Sequence, residues 1–158
     1  MVKTVTMELN CYYPLVAREL FPNAQIVIDR FHMVQMLIRS FNIFRVQIMK
    51  QFNKQSREYK LLKSPWKLYL IKYGKLNKTT PYYDWHFKDY LTQEHVVLDG
   101  LECNKDLENT YWIMQDFMTA IQNKDEKQII HLLNSKQTVG KQMHQTLLTF
   151  KHNYTEAD

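Results

Sequence analysis

Two carboxylates near the start of the chain are the side chains best placed to do chemistry. The segments Lys3–Glu8 and Gln25–Asp29 each have the alternating or apolar, β-branched composition of a strand. The connection between them contains a predicted short helix, Tyr13–Leu20, and is long enough for a parallel βαβ unit. In such a unit the carboxyl ends of both strands meet at one edge, with neighbouring strands about 4.8 Å apart. Glu8 and Asp29 would then approach one site, and paired carboxylates suit Mg²⁺ or Mn²⁺.

The same residues also have a purely structural interpretation. Glu8 and Asp29 can each cap the helix that follows, and His32 in the first turn of the second helix can be an ordinary hydrogen-bonded residue. The other histidines form no pair at metal-binding spacing, and the sequence has no glycine-rich phosphate loop and no nucleophile elbow. Residue types alone leave both interpretations open.

The rest of the chain predicts helices. After Asp29 an apolar pattern of helical period continues for about six turns, and shorter helices are expected from Ser64-Pro65, from Thr92 and, with Asn104 as N-cap, through Ile121. Two further helices follow, and residues 74–84 are predicted to form a loop. The predicted fold class is therefore α+β, mostly α, with a small parallel βαβ unit followed by a helical bundle. Two parallel strands are too few to form a sheet alone, which indicates a slice of a larger α/β domain.

Positive charge is concentrated in one segment. The chain carries a net charge of +5, yet twelve Lys or Arg residues face a single acidic residue, Glu58, between Arg30 and Lys78. Such asymmetry favours a surface that binds polyanions, although a solvated helical face explains it almost as well. The candidate DNA-binding residues are Arg30, Arg39, Arg45, Lys50, Lys54, Arg57, Lys60, Lys63 and Lys67.

The composition excludes a membrane span and a disulfide framework. No apolar run approaches the roughly 20 residues that cross a bilayer, and the first residues lack the apolar core of a signal peptide. Cys11 and Cys103 match no metal spacing. We therefore expect reduced thiols and a cytoplasmic protein without a membrane partner.

Several segments resemble one family of bacterial insertion-sequence enzymes. The segments 5–9, 12–14, 19–24 and 26–32 look like the ISL-three family of transposases, and the Asp29-Arg30-Phe31-His32 run after an apolar strand is the most specific of them. The resemblance continues more weakly through residues 107–111 and 146–150.

The resemblance implies an RNase H-like fold and an Asp-Asp-Glu triad that holds two metal ions, Mg²⁺ or Mn²⁺, for DNA cleavage and strand transfer. The second triad Asp corresponds to Glu8, whereas the first and third triad positions would fall before Met1 and after Asp158. Asp29 matches an Asp of the family pattern that is not a triad member. An extra methylene shifts the Glu8 carboxylate by about 1 Å, and a misplacement of that size costs roughly 10²-fold in rate. We therefore expect this chain alone to bind no metal and to cut no DNA.

The resemblance also divides the chain. Residues 1–32 correspond to a βαβ fragment of the RNase H-like core, and residues 33–158 to a helical insertion. The leading hypothesis is a fragment of a transposase whose partner is transposon-end DNA, with a second copy or a helix covering the open strand edges. The alternative is a helical DNA-binding or protein-interaction module without catalytic activity.

Overall fold

The beginning of the chain contains two short parallel strands. A computed structural model describes residues 3–7, 19–20 and 25–155. Strand β1 (Thr4–Met7) pairs in parallel with β2 (Gln25–Ile28), with Thr4 opposite Gln25 and Met7 opposite Ile28. Glu19 and Leu20 are helical, but most of the predicted helix Tyr13–Leu20 lies outside the described residues, as does Glu8. The parallel pairing agrees with the prediction, whereas the βαβ unit as a whole is not established.

The remainder is mostly helical, as predicted. The helices are α1 (Arg30–Met49), α2 (Arg57–Lys63), α3 (Gln93–Leu101), α4 (Lys105–Gln122), α5 (Glu126–Asn134) and α6 (Lys141–Thr155). None of the described helices is both long enough and apolar enough to cross a membrane. The predicted domain boundary between residues 32 and 33 falls within the first turn of α1.

Polar side chains start the helices at the positions that the sequence favours. The side chain of Thr92 accepts a hydrogen bond from the backbone N–H of His95 at 3.1 Å, and that of Asn104 accepts from Leu107 at 3.0 Å. Ser56 caps α2 in the same way. Each cap satisfies a backbone N–H that has no partner within its helix, which fixes where the helix begins.

The main core lies between α1, α4 and α6. Phe41 in α1 packs edge-on against Tyr111 in α4, with the ring centroids 5.6 Å apart, and Phe117 meets Phe150 of α6 at 6.1 Å. A buried hydrogen bond of 2.6 Å between the hydroxyls of Ser40 and Thr146 also joins α1 to α6. Apolar burial and one satisfied polar pair therefore fix how these helices are aligned.

Two predictions about the middle of the chain were wrong. The helix expected from Ser64-Pro65 is a 3₁₀ segment, Trp66–Leu70, followed by a second one at Tyr73–Lys75. The expected loop over residues 74–84 instead leads into an antiparallel hairpin, β3 (Tyr82–Asp84) paired with β4 (Asp89–Leu91). A 3₁₀ helix is the tighter helix that proteins use in short pieces, and this one brings Tyr69 into the core beside α3.

Two contacts hold this middle segment against the helices. Tyr69 is buried, its hydroxyl donates to the Leu61 carbonyl oxygen at 2.8 Å, and burial raises the pKa of Tyr69 far above its ordinary value. Gln115 of α4 bonds the backbone: its Oε1 accepts from the N–H of Tyr73 at 2.9 Å, and its Nε2 donates to the carbonyl of Ile71 at 3.0 Å. The 3₁₀ segments are thus held by hydrogen bonds as well as by packing.

Candidate nucleic-acid-binding surface

The Asp29-Arg30-Phe31-His32 segment forms the start of α1. Asp29 is the N-cap: its Oδ1 accepts a hydrogen bond from the backbone N–H of Phe31 at 2.8 Å. Its Oδ2 lies 3.7 Å from Nε2 of His32, and the Phe31 ring meets the His32 imidazole edge-on at 6.0 Å. The Phe31 side chain is 65% exposed. The capping interpretation of Asp29 is therefore realised in the structure.

A metal site cannot be assembled from the described residues. Within residues 3–7, 19–20 and 25–155, no three His, Cys, Asp or Glu side chains are grouped so that they could hold a metal ion. Asp29 offers a single carboxylate that already caps a helix. Glu8, the other predicted ligand, lies outside the described residues. The described residues thus do not by themselves supply the ligands of the two-metal centre that the Asp-Asp-Glu triad would form.

Arg45 was predicted to contact DNA, and the structure places it inside the protein. Its side chain is 5% exposed; the guanidinium donates to the Leu62 carbonyl oxygen and to Oδ1 of Asn42, the latter at 3.0 and 2.8 Å. Burial lowers the pKa of Arg45 from its ordinary value. Arg45 follows Leu37 and Phe41 at intervals of four residues on the buried stripe of α1, and this spacing is the sequence signal that could have identified it.

The remaining cations do not form one continuous group. Arg30 and Lys50 lie at opposite ends of α1, and a helix of 20 residues is about 30 Å long. Arg39 is exposed midway along α1, on the side where its neighbours at intervals of four residues, Gln35 and Ile43, carry no charge. Arg30 and Arg39 are therefore isolated from the other predicted DNA contacts.

A run of cations does occur from the end of α1 through α2 to the first 3₁₀ segment. This lysine surface consists of Lys50, Lys54, Lys60, Lys63 and Lys67, all at least partly exposed. Within the part of the chain that the structure describes, no carboxylate lies within 4.0 Å of their ammonium groups. Arg57 differs, since it pairs with Asp99 at 3.2 Å. The lysine surface therefore presents positive charge that no described carboxylate neutralises.

Aromatic rings accompany several of these cations. The Lys63 ammonium lies 5.3 Å from the centroid of the Tyr59 ring, and that of Lys67 lies 5.6 Å from Trp66. The Arg57 guanidinium lies over the Phe87 ring of the hairpin at 5.0 Å. These contacts favour one direction for each cation only weakly, because a cation–π pair at an exposed site contributes about 0.5–1 kcal/mol.

An antiparallel hairpin that was not predicted from the sequence packs against α2, beside this surface. Tyr83 contacts Trp85 and Tyr90 edge-on, with ring centroids 5.0 and 5.2 Å apart. Leu91 and Phe87 of the hairpin pack with Leu61 of α2 and Val96 of α3. The sequence signal for the hairpin is the density of aromatic residues from Tyr82 to Tyr90. The turn gives no signal of its own, because it contains no glycine and a lysine, Lys88, adopts the left-handed conformation there, with φ of 51°.

Comparison with known proteins assigns the chain to a family. No curated protein and no solved structure significantly matches the chain. A family model described as transposase, of the DDE type and the ISL-three group, matches residues 1–157. That match covers the parallel strands, the lysine surface and the hairpin alike. It confirms the resemblance carried by the Asp29-Arg30-Phe31-His32 segment, and the chain belongs to the ISL-three family of DDE transposases.

Proposed function

We propose that this chain acts in DNA transposition by holding transposon DNA against a DDE catalytic core, and that the lysine surface makes the contact. DNA is the general partner of a transposase, and DDE transposases generally use divalent metals. In this proposal β1 and β2 belong to an RNase H-like sheet in a bacterial, cytoplasmic enzyme. Residues 33–158 form its helical insertion, and a second copy or a helix covers the strand edges.

One observation carries the proposed DNA contact. Between the end of α1 and the first 3₁₀ segment, five lysines have no carboxylate partner among the described residues. Unpaired lysines on a folded surface repel one another, and a polyanion removes that repulsion while releasing counterions from the DNA. Phosphate contacts of this type position a protein on DNA without reading its sequence. The lysine surface therefore suits the backbone of a duplex rather than a particular base sequence.

We expect duplex DNA to bind with a steep dependence on salt. If all five lysines contact phosphates, the logarithm of the association constant falls against the logarithm of salt concentration with a slope of about −4.5. The double variant Lys63→Ala/Lys67→Ala should weaken binding at least fivefold and reduce the slope by nearly two, measured by fluorescence anisotropy between roughly 50 and 200 mM KCl.

The matched control is Lys127→Ala, which removes an exposed lysine from α5. The control should bind like the unaltered protein. A slope shallower than about −2, or an equal loss in the control, would contradict the proposed contact.

Glu8 is proposed as the carboxylate at the position of the second triad residue, where Mg²⁺ or Mn²⁺ would supply Lewis-acid activation of water or of a 3′ hydroxyl. The alternative, a helical DNA-binding or protein-interaction module without catalytic activity, is favoured by the capping role of Asp29. Both candidate functions use the lysine surface, and they differ only in the role of the Glu8 and Asp29 carboxylates.

Metal binding separates the two candidates. The test uses a longer version of this protein that carries all three triad carboxylates. There the double variant Glu8→Gln/Asp29→Asn should lower the Mn²⁺ affinity at least tenfold if these two side chains are ligands. Asn at position 29 retains an oxygen that can cap α1, so the helix keeps its start. Unchanged affinity in a Mn²⁺ titration followed by electron paramagnetic resonance would support the noncatalytic module.

A further inference from the structure

The outer face of the hairpin carries an aromatic cluster, which consists of Tyr83, Trp85 and Tyr90. Tyr83 and Tyr90 are opposite each other in the β3–β4 register, so they share one face, and Trp85 follows Tyr83 by two residues. Trp85 is 82% exposed and Tyr90 67% exposed. The other face of the hairpin is buried through Leu91. The hairpin thus presents on this face Trp85 and Tyr90, the most exposed of its Tyr, Trp and Phe side chains, with Tyr83 between them.

The ring geometry leaves flat surfaces available. Tyr83 meets Trp85 at an interplanar angle of 83° and Tyr90 at 68°. A single edge-on contact can cover at most one face of a ring, so Trp85 and Tyr90 each keep a face that Tyr83 does not cover. A ligand that fits must itself be flat and apolar on its faces.

The segment of the chain that leads into the hairpin is rich in positive charge, which suits a nucleic acid strand. Between Lys50 and Leu91 the chain has ten Lys or Arg residues and three acidic residues. Two of those acids, Asp84 and Asp89, face each other across the hairpin, and each accepts a backbone hydrogen bond, from His86 at 2.8 Å and from Tyr90 at 2.7 Å. The Arg57–Phe87 contact links the hairpin directly to α2. A strand whose phosphates contact the lysines of α2 would therefore have its bases near the hairpin, which packs on the same helix.

A second protein chain fits the cluster less well. From their exposed fractions the three side chains present roughly 450 Å² together, whereas a stable protein interface buries about 800 Å² on each partner. The outer face of the hairpin offers no aliphatic side chain among the described residues to enlarge that area. Base–aromatic stacking, in contrast, requires only one ring for each base.

We infer that the aromatic cluster is a stacking platform for unpaired nucleobases of the DNA strand whose backbone lies on the lysine surface. This inference deepens the proposed function and rests on it. Trp85 is the principal ring, Tyr90 is the second, and Tyr83 holds both in position. The ligand class is single-stranded or locally unpaired DNA, and the contact is tolerant of base identity because every base has a flat face.

The test compares Trp85→Leu with Trp85→Phe. Leu retains an apolar side chain without a ring, whereas Phe retains a ring. Trp85→Leu should weaken binding of a single-stranded oligonucleotide at least fivefold, Trp85→Phe less than twofold, and neither should change duplex affinity by more than twofold. Fluorescence anisotropy gives the affinities, and an oligonucleotide carrying 2-aminopurine should lose its stacking-dependent quenching only with Trp85→Leu.

Ile130→Ala on α5 is the control for removal of an exposed apolar side chain, and it should bind both DNAs normally. If Trp85→Leu binds single strands like the unaltered protein, or if Leu and Phe weaken binding equally, the platform is excluded while salt-dependent duplex binding still supports the proposed function. An equal loss of single-strand and duplex affinity would indicate a backbone contact and also overturn the inference. If neither DNA binds, both proposals fail together.

Discussion

Replacing Phe41 by Ala should lower the free energy of unfolding by about 3–5 kcal/mol, the range for truncating a buried Phe. The Phe41 ring has no solvent exposure, and it contacts Tyr111 at 5.6 Å and Tyr69 at 6.4 Å between centroids. It therefore joins α1 both to α4 and to the first 3₁₀ segment. Truncation leaves a cavity at the junction of three elements, where the surrounding backbone has little freedom to collapse. Equilibrium urea unfolding followed by circular dichroism measures the loss.

The same helix provides the matched control. Phe31 is also a phenylalanine of α1, but its side chain is 65% exposed. Phe31→Ala should change the free energy of unfolding by no more than about 0.5 kcal/mol, as is usual at exposed positions. Equal losses at positions 31 and 41 would mean that the core is not centred on Phe41.

A methyl group at Gly100 should be nearly as damaging as the loss of Phe41. A Cβ at this position would overlap the Tyr69 hydroxyl and lie 2.9 Å from Cζ of the same ring. In an ordinary helix, Ala in place of Gly stabilises by about 1 kcal/mol. We expect a net loss of about 2–3 kcal/mol instead, because the buried Tyr69 ring has no room to move. For a chain of this length each kcal/mol corresponds to roughly 2–4 °C in the melting temperature.

A double-mutant cycle identifies the clash. Tyr69→Phe alone should cost about 1 kcal/mol, since it removes the hydroxyl that donates to the Leu61 carbonyl oxygen at 2.8 Å. Combined with Gly100→Ala it should recover at least about 1 kcal/mol of the loss, because the overlapping oxygen is gone. Gly74→Ala is the control: nothing lies within 4 Å of its added Cβ. Strictly additive effects would show that Gly100 is required for another reason.

The helices could be predicted because their signals are local. Thr92 and Asn104 were predicted helix starts, and each caps its helix through a hydrogen bond. In α4 the apolar residues that follow helical spacing are all buried: Leu107, Tyr111, Met114, Phe117, Met118 and Ile121. Capping chemistry and a period of 3.6 residues act within a few residues, so a single sequence reveals them.

The hairpin and the orientation of Arg45 could not be predicted in the same way, because contacts distant in sequence decide them. Strands β3 and β4 have three residues each, and Phe87 and Leu91 fix them by packing against α2 and α3. The residues of the turn, with Lys88 at a positive φ, give no hairpin signal. Arg45 was assigned to the surface by its charge, whereas the Leu62 carbonyl and Asn42 provide it with partners inside.

The hydrogen bonds of Gln115 have an evolutionary consequence. Gln115 bonds the carbonyl of Ile71 and the N–H of Tyr73, which are groups that almost every residue type possesses. Residue 71 can therefore be replaced by other residue types without loss of this attachment. Position 73 must not be proline, which has no N–H to donate, and position 115 needs a side-chain amide of this length. A substitution at position 71 can thus change the segment leading into the hairpin while its anchorage to α4 is kept.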